Sequence, residues 1–128
     1  MNGILREMYQ PILLGDGIGL FRELAALRHS ACAVPLALTL RPHPFLSALF
    51  RVRIRRLARE ELPFLSDLLV SVAEAEEDKI LCLIPTTDAF RRFTEESRRV
   101  LEPYFLLVRG KDSVGGDNFR VFAEGGQE

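Results

Sequence analysis

The chain has 128 residues, 48% of them hydrophobic and 27% charged, and a formal net charge of −1. That apolar share supports a buried core and excludes both a disordered chain and a scaffold dependent on disulfides. Near-neutral charge excludes a global attraction to nucleic acid or to an acidic membrane surface.

The expectation is a single domain over 1–128, with 1–50 open to being a less regular N-terminal subregion and 124–128 a frayed tail. The longest apolar tract, Ala31–Leu40, contains Pro35 and is about half the roughly 20 residues of a membrane span. Near the start, Arg6 and Glu7 are followed by Pro11 and Gly15 rather than by an apolar stretch, so no secretory leader is expected and the expected location is cytoplasmic. Cys32 and Cys82 both sit in apolar runs without CxxC spacing, which reads as two buried thiols in a reducing compartment.

In chain order, Met1–Gln10 reads as a weak helix with Ile4, Leu5, Met8 and Tyr9 on one face. Pro11–Leu14 is a short extended run, Gly15-Asp16-Gly17-Ile18-Gly19 a loop, and Leu20–His29 a helix. Strand, glycine loop and helix is the order in which backbone N–H groups and a helix N-terminus hold phosphate. Gly15, Gly17 and Gly19 are therefore the candidate cofactor-contacting residues. The spacing is G-x-G-x-G, no Lys-Ser/Thr pair follows, and Asp16 adds negative charge; the plainer reading is a glycine turn entering a helix. The run P-x-L-L-G-x-G-I-x-L-F over Pro11–Phe21 is similar to the closing segment of reductases with the dihydrofolate-reductase-like fold, which implies a dinucleotide role for this loop.

Val34–Leu40 reads as a strand with Pro35 at its start, and Arg41-Pro42-His43-Pro44 as a rigid turn. His29 and His43 lack a carboxylate or cysteine at ligand spacing, so they read as surface histidines and no metal site is expected. Phe45, Leu46, Leu49 and Phe50 form a small apolar cap. Arg51–Leu57 alternates, which predicts a half-buried strand with Val52 and Ile54 inward and Arg51, Arg53 and Arg55 outward. That arginine comb is the candidate anion- or partner-binding surface, suited to RNA phosphates, a polyanion or an acidic protein. Neutralisation by Glu60, Glu61, Glu76 and Glu77 is the plainer reading, and no aromatic residue interleaves to stack bases.

Arg59–Glu76 is an amphipathic helix burying Leu62, Leu65, Leu68, Leu69 and Val72, with Pro63 in its first turn and a start near Glu60 or Glu61. The acidic run Glu74, Glu76, Glu77 and Asp78 reads as a solvated exit. Ile80–Ile84 is a buried strand stopped by Pro85, and Thr86 or Thr87 caps a new helix with Asp88 in its first turn. Ala89, Phe90, Phe93, Val100 and Leu101 are its apolar face. Pro103 ends the helix and Tyr104–Val108 forms another strand. Phe90 and Phe93 are expected to press onto a sheet containing both Leu81–Leu83 and Phe105–Leu107. Lys111–Asn118 reads as a polar loop, and Phe119–Ala123 as a strand in a hairpin with Tyr104–Val108. The fold class is mixed α/β: a single sheet of four to six short strands with helices packed on it.

Val52–Leu57 followed by Glu60–Leu65 resembles the opening strand and first helix of the GCN5-related N-acetyltransferases, and Tyr104–Arg109, Lys111–Gly116 and Phe119–Phe122 are similar to that family's second and third strands with their turn. The resemblance implies an acetyl-CoA-dependent domain. That family holds the cofactor's pyrophosphate on a glycine-containing loop after its fourth strand; no such loop is expected within these 128 residues, so the resemblance implies no functional residue here.

No serine has nucleophile-elbow spacing, Glu95 and Glu96 point to different helix faces, and no Cys–His pairing is evident. No catalytic residue and no cofactor are expected. The expected function is a binding or assembly protein without catalysis of its own, acting through protein–protein contacts as an oligomer. Its partner surface would be Phe45–Phe50 or an unpaired edge strand. The alternatives are a nucleotide- or acyl-CoA-using enzyme completed by a partner, and an RNA- or phosphate-binding module using Arg51, Arg53 and Arg55.

Overall fold

Five strands and their helices alternate along the chain in a computed structural model that describes residues 9–28, 33–76 and 78–108. The order is β1 (Tyr9–Leu14), α1 (Gly17–Leu27), β2 (Leu36–Thr39), α2 (Leu46–Leu49) and β3 (Arg53–Arg56). A 3₁₀ helix (Arg59–Phe64) and α3 (Leu65–Ala75) lead to β4 (Ile80–Pro85). The chain continues through α4 (Asp88–Glu96) and α5 (Arg98–Leu101) to β5 (Phe105–Leu107). The strands form one sheet in the order β3-β2-β1-β4-β5, and every neighbouring pair is parallel. The fold is therefore α/β, as its composition and patterning indicate.

Strands β1 and β4 read as apolar runs because both of their faces are covered. Their register sets Ile12 beside Leu83 and Leu14 beside Pro85. Period-two alternation then sorts the side chains into two cores. Ile12, Leu14, Leu38, Leu81, Leu83 and Phe105 face α3, α4 and α5 through Leu65, Leu69, Phe90 and Leu101. Leu13, Ala37, Cys82, Ile84 and Val108 face α1 and α2 through Leu20, Leu24, Leu27 and Leu46. Connections that step toward β3 place their helices on one side, and those that step toward β5 place theirs on the other. A constant crossover hand gives this result: a doubly wound sheet.

Phe90 is buried and Phe93 half-buried against the core that contains Leu81, Leu83 and Phe105, as their helical spacing requires. Thr87 is the residue that caps α4, its Oγ1 accepting from Phe90 N at 3.3 Å. The helix breaks at Ser97 and resumes at Arg98.

Other expectations are corrected. Strand β1 begins at Tyr9, so Tyr9 and Gln10 are extended rather than helical. Pro11 sits in this central strand although it has no N–H for the ladder; beside it, Gln10 Nε2 donates to Val34 O at 2.6 Å and to Pro11 O at 3.0 Å. The helix expected from Glu60 opens instead as the 3₁₀ turn, and its α-helical part starts at Leu65. Pro63 explains this, since it disfavours α geometry at Leu62 and supplies no donor. In the Phe45–Phe50 cap, Leu46 is buried, whereas Phe45 and Leu49 are exposed. The expected helix before Tyr9, Cys32, His29 and the hairpin strand Phe119–Ala123 lie outside the described residues. Among the described residues no helix is long and apolar enough to cross a membrane.

Candidate functional site

In a doubly wound sheet, ligand-contacting loops gather at the carboxyl ends of the strands. The loop Gly15–Gly19 leaves the end of β1, and the Thr86–Thr87 turn leaves the end of β4. These neighbouring strands send their helices to opposite faces, so the two loops bound the switch point. Thr86 fills the space between them. Its N–H and Oγ1 both donate to Leu14 O, at 2.7 Å and 3.1 Å. A β-carbon on Gly15 would collide with the Thr86 side chain, and one on Gly19 with Thr86 O. These two glycines let α1 and the β4 turn approach closely. Gly17 differs: its φ is +64°, a β-carbon there would meet nothing within 4 Å, and the residue is exposed.

The Asp16 side chain is tied to the end of β2. Its Oδ1 accepts from Thr39 Oγ1 and from Arg41 N, the latter at 2.9 Å. The carboxylate thus joins the ends of β1 and β2 and does not cap α1. The charge expected to oppose a bound anion is held by two donors.

Beside it opens a cleft of about 670 Å³ lined by Asp16, Leu40, Arg41, Arg56, Leu57, Ala58, Arg59 and Glu60. Its walls are the segments that leave β1, β2 and β3. Leu57 is buried, whereas Arg41, Arg56 and Arg59 are exposed. Among the described residues these three arginines form no ion pair. The far side of the Ala58 turn is tied down: Glu61 Oε1 accepts from Ala58 N at 2.8 Å and Oε2 from Arg55 at 3.1 Å. The Ala58 N–H, and after it Arg55, hold the Glu61 carboxyl below its usual range.

The arginine comb is distributed differently from its spacing. Arg51 precedes β3 and lines a separate cavity of about 280 Å³ with Leu24, Leu27, Arg28, Leu49 and Phe50. Arg53 pairs with Glu76 at 2.9 Å and Arg55 with Glu61 at 3.1 Å. The structure brings neither Arg53 nor Arg55 to either cavity, and Gly15, Gly17 and Gly19 line neither. His43 Nδ1 accepts from Phe45 N at 3.1 Å. Among the described residues no group of three or more His, Cys, Asp or Glu could hold a metal ion.

Sequence reading alone missed Arg41, Arg56, Arg59 and Thr86. Arg41 lies just past the end of β2 and Arg56 at the end of β3, and only parallel pairing puts those ends on one edge. Strands Arg53–Arg56 and Phe105–Leu107 are opposite edges of the sheet, with three strands between them, and the glycine loop follows a central strand. No family model, curated protein or solved structure matches the chain.

Proposed function

We propose that this domain binds an anionic small molecule in the cleft at the carboxyl edge of its sheet, and that it acts through binding without chemistry of its own. The observation that carries this reading is the convergence on one cleft of Arg41, Arg56 and Arg59, all without an ion-pair partner among the described residues. Guanidinium groups left unpaired beside an apolar floor are a charge arrangement that an oxyanion complements. A nucleotide-using enzyme completed by a partner would use the same cleft.

The test is thermal denaturation in sodium pyrophosphate against sodium chloride of equal ionic strength. Pyrophosphate raises the Tm of the natural chain, and the Arg56→Gln/Arg59→Gln variant loses most of that rise. An equal rise in both proteins would contradict the reading.

A second reading, association with a protein partner or with another copy, is favoured by the exposure of Phe45 at 60%, Leu49 at 53% and Phe64 at 64%. Light scattering that returns the monomer mass at high concentration would count against self-association.

A further inference from the structure

We infer that the cleft takes a single phosphate monoester carried on an apolar or aromatic body of about mononucleotide size, and that it discriminates against dinucleotides; this rests on the anion-binding reading above. Three observations converge.

The first is charge. The lining carries three guanidinium groups, those of Arg41, Arg56 and Arg59, against two carboxylates, Asp16 and Glu60, and Asp16 is also engaged by Thr39 Oγ1 and Arg41 N. The excess is one positive charge, and the three guanidinium groups offer more donors than the two oxygens of a carboxylate accept, whereas a phosphate monoester presents three acceptor oxygens.

The second is size and lining. At about 670 Å³ the cleft is larger than an inorganic anion requires, and Leu40, Leu57 and Ala58 give it an apolar floor. Such a floor gains from desolvating an organic body beside the phosphate.

The third is Thr86. Dinucleotides lie across the switch point with their pyrophosphate over the first glycine loop. Here Thr86 fills the space between that loop and the β4 turn, where even a methyl group on Gly15 or Gly19 has no room. The ligand is therefore placed on the β1–β2–β3 side, where the cleft lies.

The experiment is isothermal titration of the full chain with AMP, adenosine, citrate and NAD as probes, alongside the Arg56→Gln/Arg59→Gln variant, whose fold is checked by circular dichroism. AMP binds at least about tenfold more tightly than each of the other three, and the variant loses about tenfold or more in AMP affinity. Citrate binding as tightly as AMP would overturn the phosphate assignment while leaving an anion cleft in place. NAD binding as tightly as AMP would overturn the single-ester assignment. Absence of binding by AMP and citrate alike would remove the anion-cleft reading itself.

Discussion

Gly15 and Thr86 face each other at the centre of the sheet with no space for a side chain between them: a β-carbon on Gly15 would lie 2.9 Å from Thr86 Cβ and still nearer its hydroxyl. Thr86 cannot easily yield, because its N–H and hydroxyl are both bonded to Leu14 O. Gly15→Ala should therefore cost about 1–3 kcal/mol in urea unfolding, the range for overpacking a filled site. Adding Thr86→Gly should recover part of that loss, and the pair should be coupled in a double-mutant cycle. A Gly15→Ala variant as stable as the natural chain would show that the contact is not there.

Asp16 makes a prediction with two opposite signs. Asn in its place still accepts from Thr39 Oγ1 and Arg41 N, but without charge assistance, so stability should fall by about 1 kcal/mol. Removing a negative charge from the lining should meanwhile strengthen anion binding. Asp16→Ala should cost more than Asn, because two donors then lose their acceptor. Denaturation of the three proteins with and without pyrophosphate measures both effects together.

The Glu61 carboxyl is held below its usual range by the Ala58 N–H and then by Arg55. Its ionised form thus favours the folded state. That contribution is present above the unfolded glutamate pKa and is lost as pH falls through the lowered folded value. Between about pH 6 and pH 3 the natural chain should lose more stability than Glu61→Gln, with the two curves converging in stronger acid. Urea midpoints across that interval give the comparison, and parallel curves would contradict it.

Arg53 serves as a control for the cleft arginines. Its pair with Glu76 is half exposed, at 49% for the arginine side chain, so Arg53→Gln should cost no more than about 1 kcal/mol. It should leave anion affinity unchanged, in contrast to Arg56→Gln. Loss of pyrophosphate binding on substituting Arg53 would move the site to the arginine strand.

Sequence patterning revealed the strands and helices well and their assembly poorly. Ile80–Pro85 and Asp88–Leu101 were legible because an apolar run, a proline stop, a threonine cap and a helical apolar face all agree there. Tyr9 and Gln10 were misjudged because Pro11 disguises a central strand and the Gln10 carboxamide supplies donors beside it. The Arg51–Leu57 alternation reads as one strand, although Arg51 lies outside the strand and Arg53 and Arg55 meet Glu76 and Glu61. Arg41, Arg56 and Arg59 carry no local signature. Strand order alone unites them, and one sequence does not encode strand order locally.

The most direct test of the account is an amide chemical-shift map of the isotopically labelled full chain titrated with pyrophosphate. Saturable shifts concentrated at Leu40, Arg41, Leu57, Ala58 and Arg59 are the predicted result. Shifts confined to the Gly17–Gly19 turn, or to the Arg28 and Arg51 cavity, or no saturable shift at all, would contradict it.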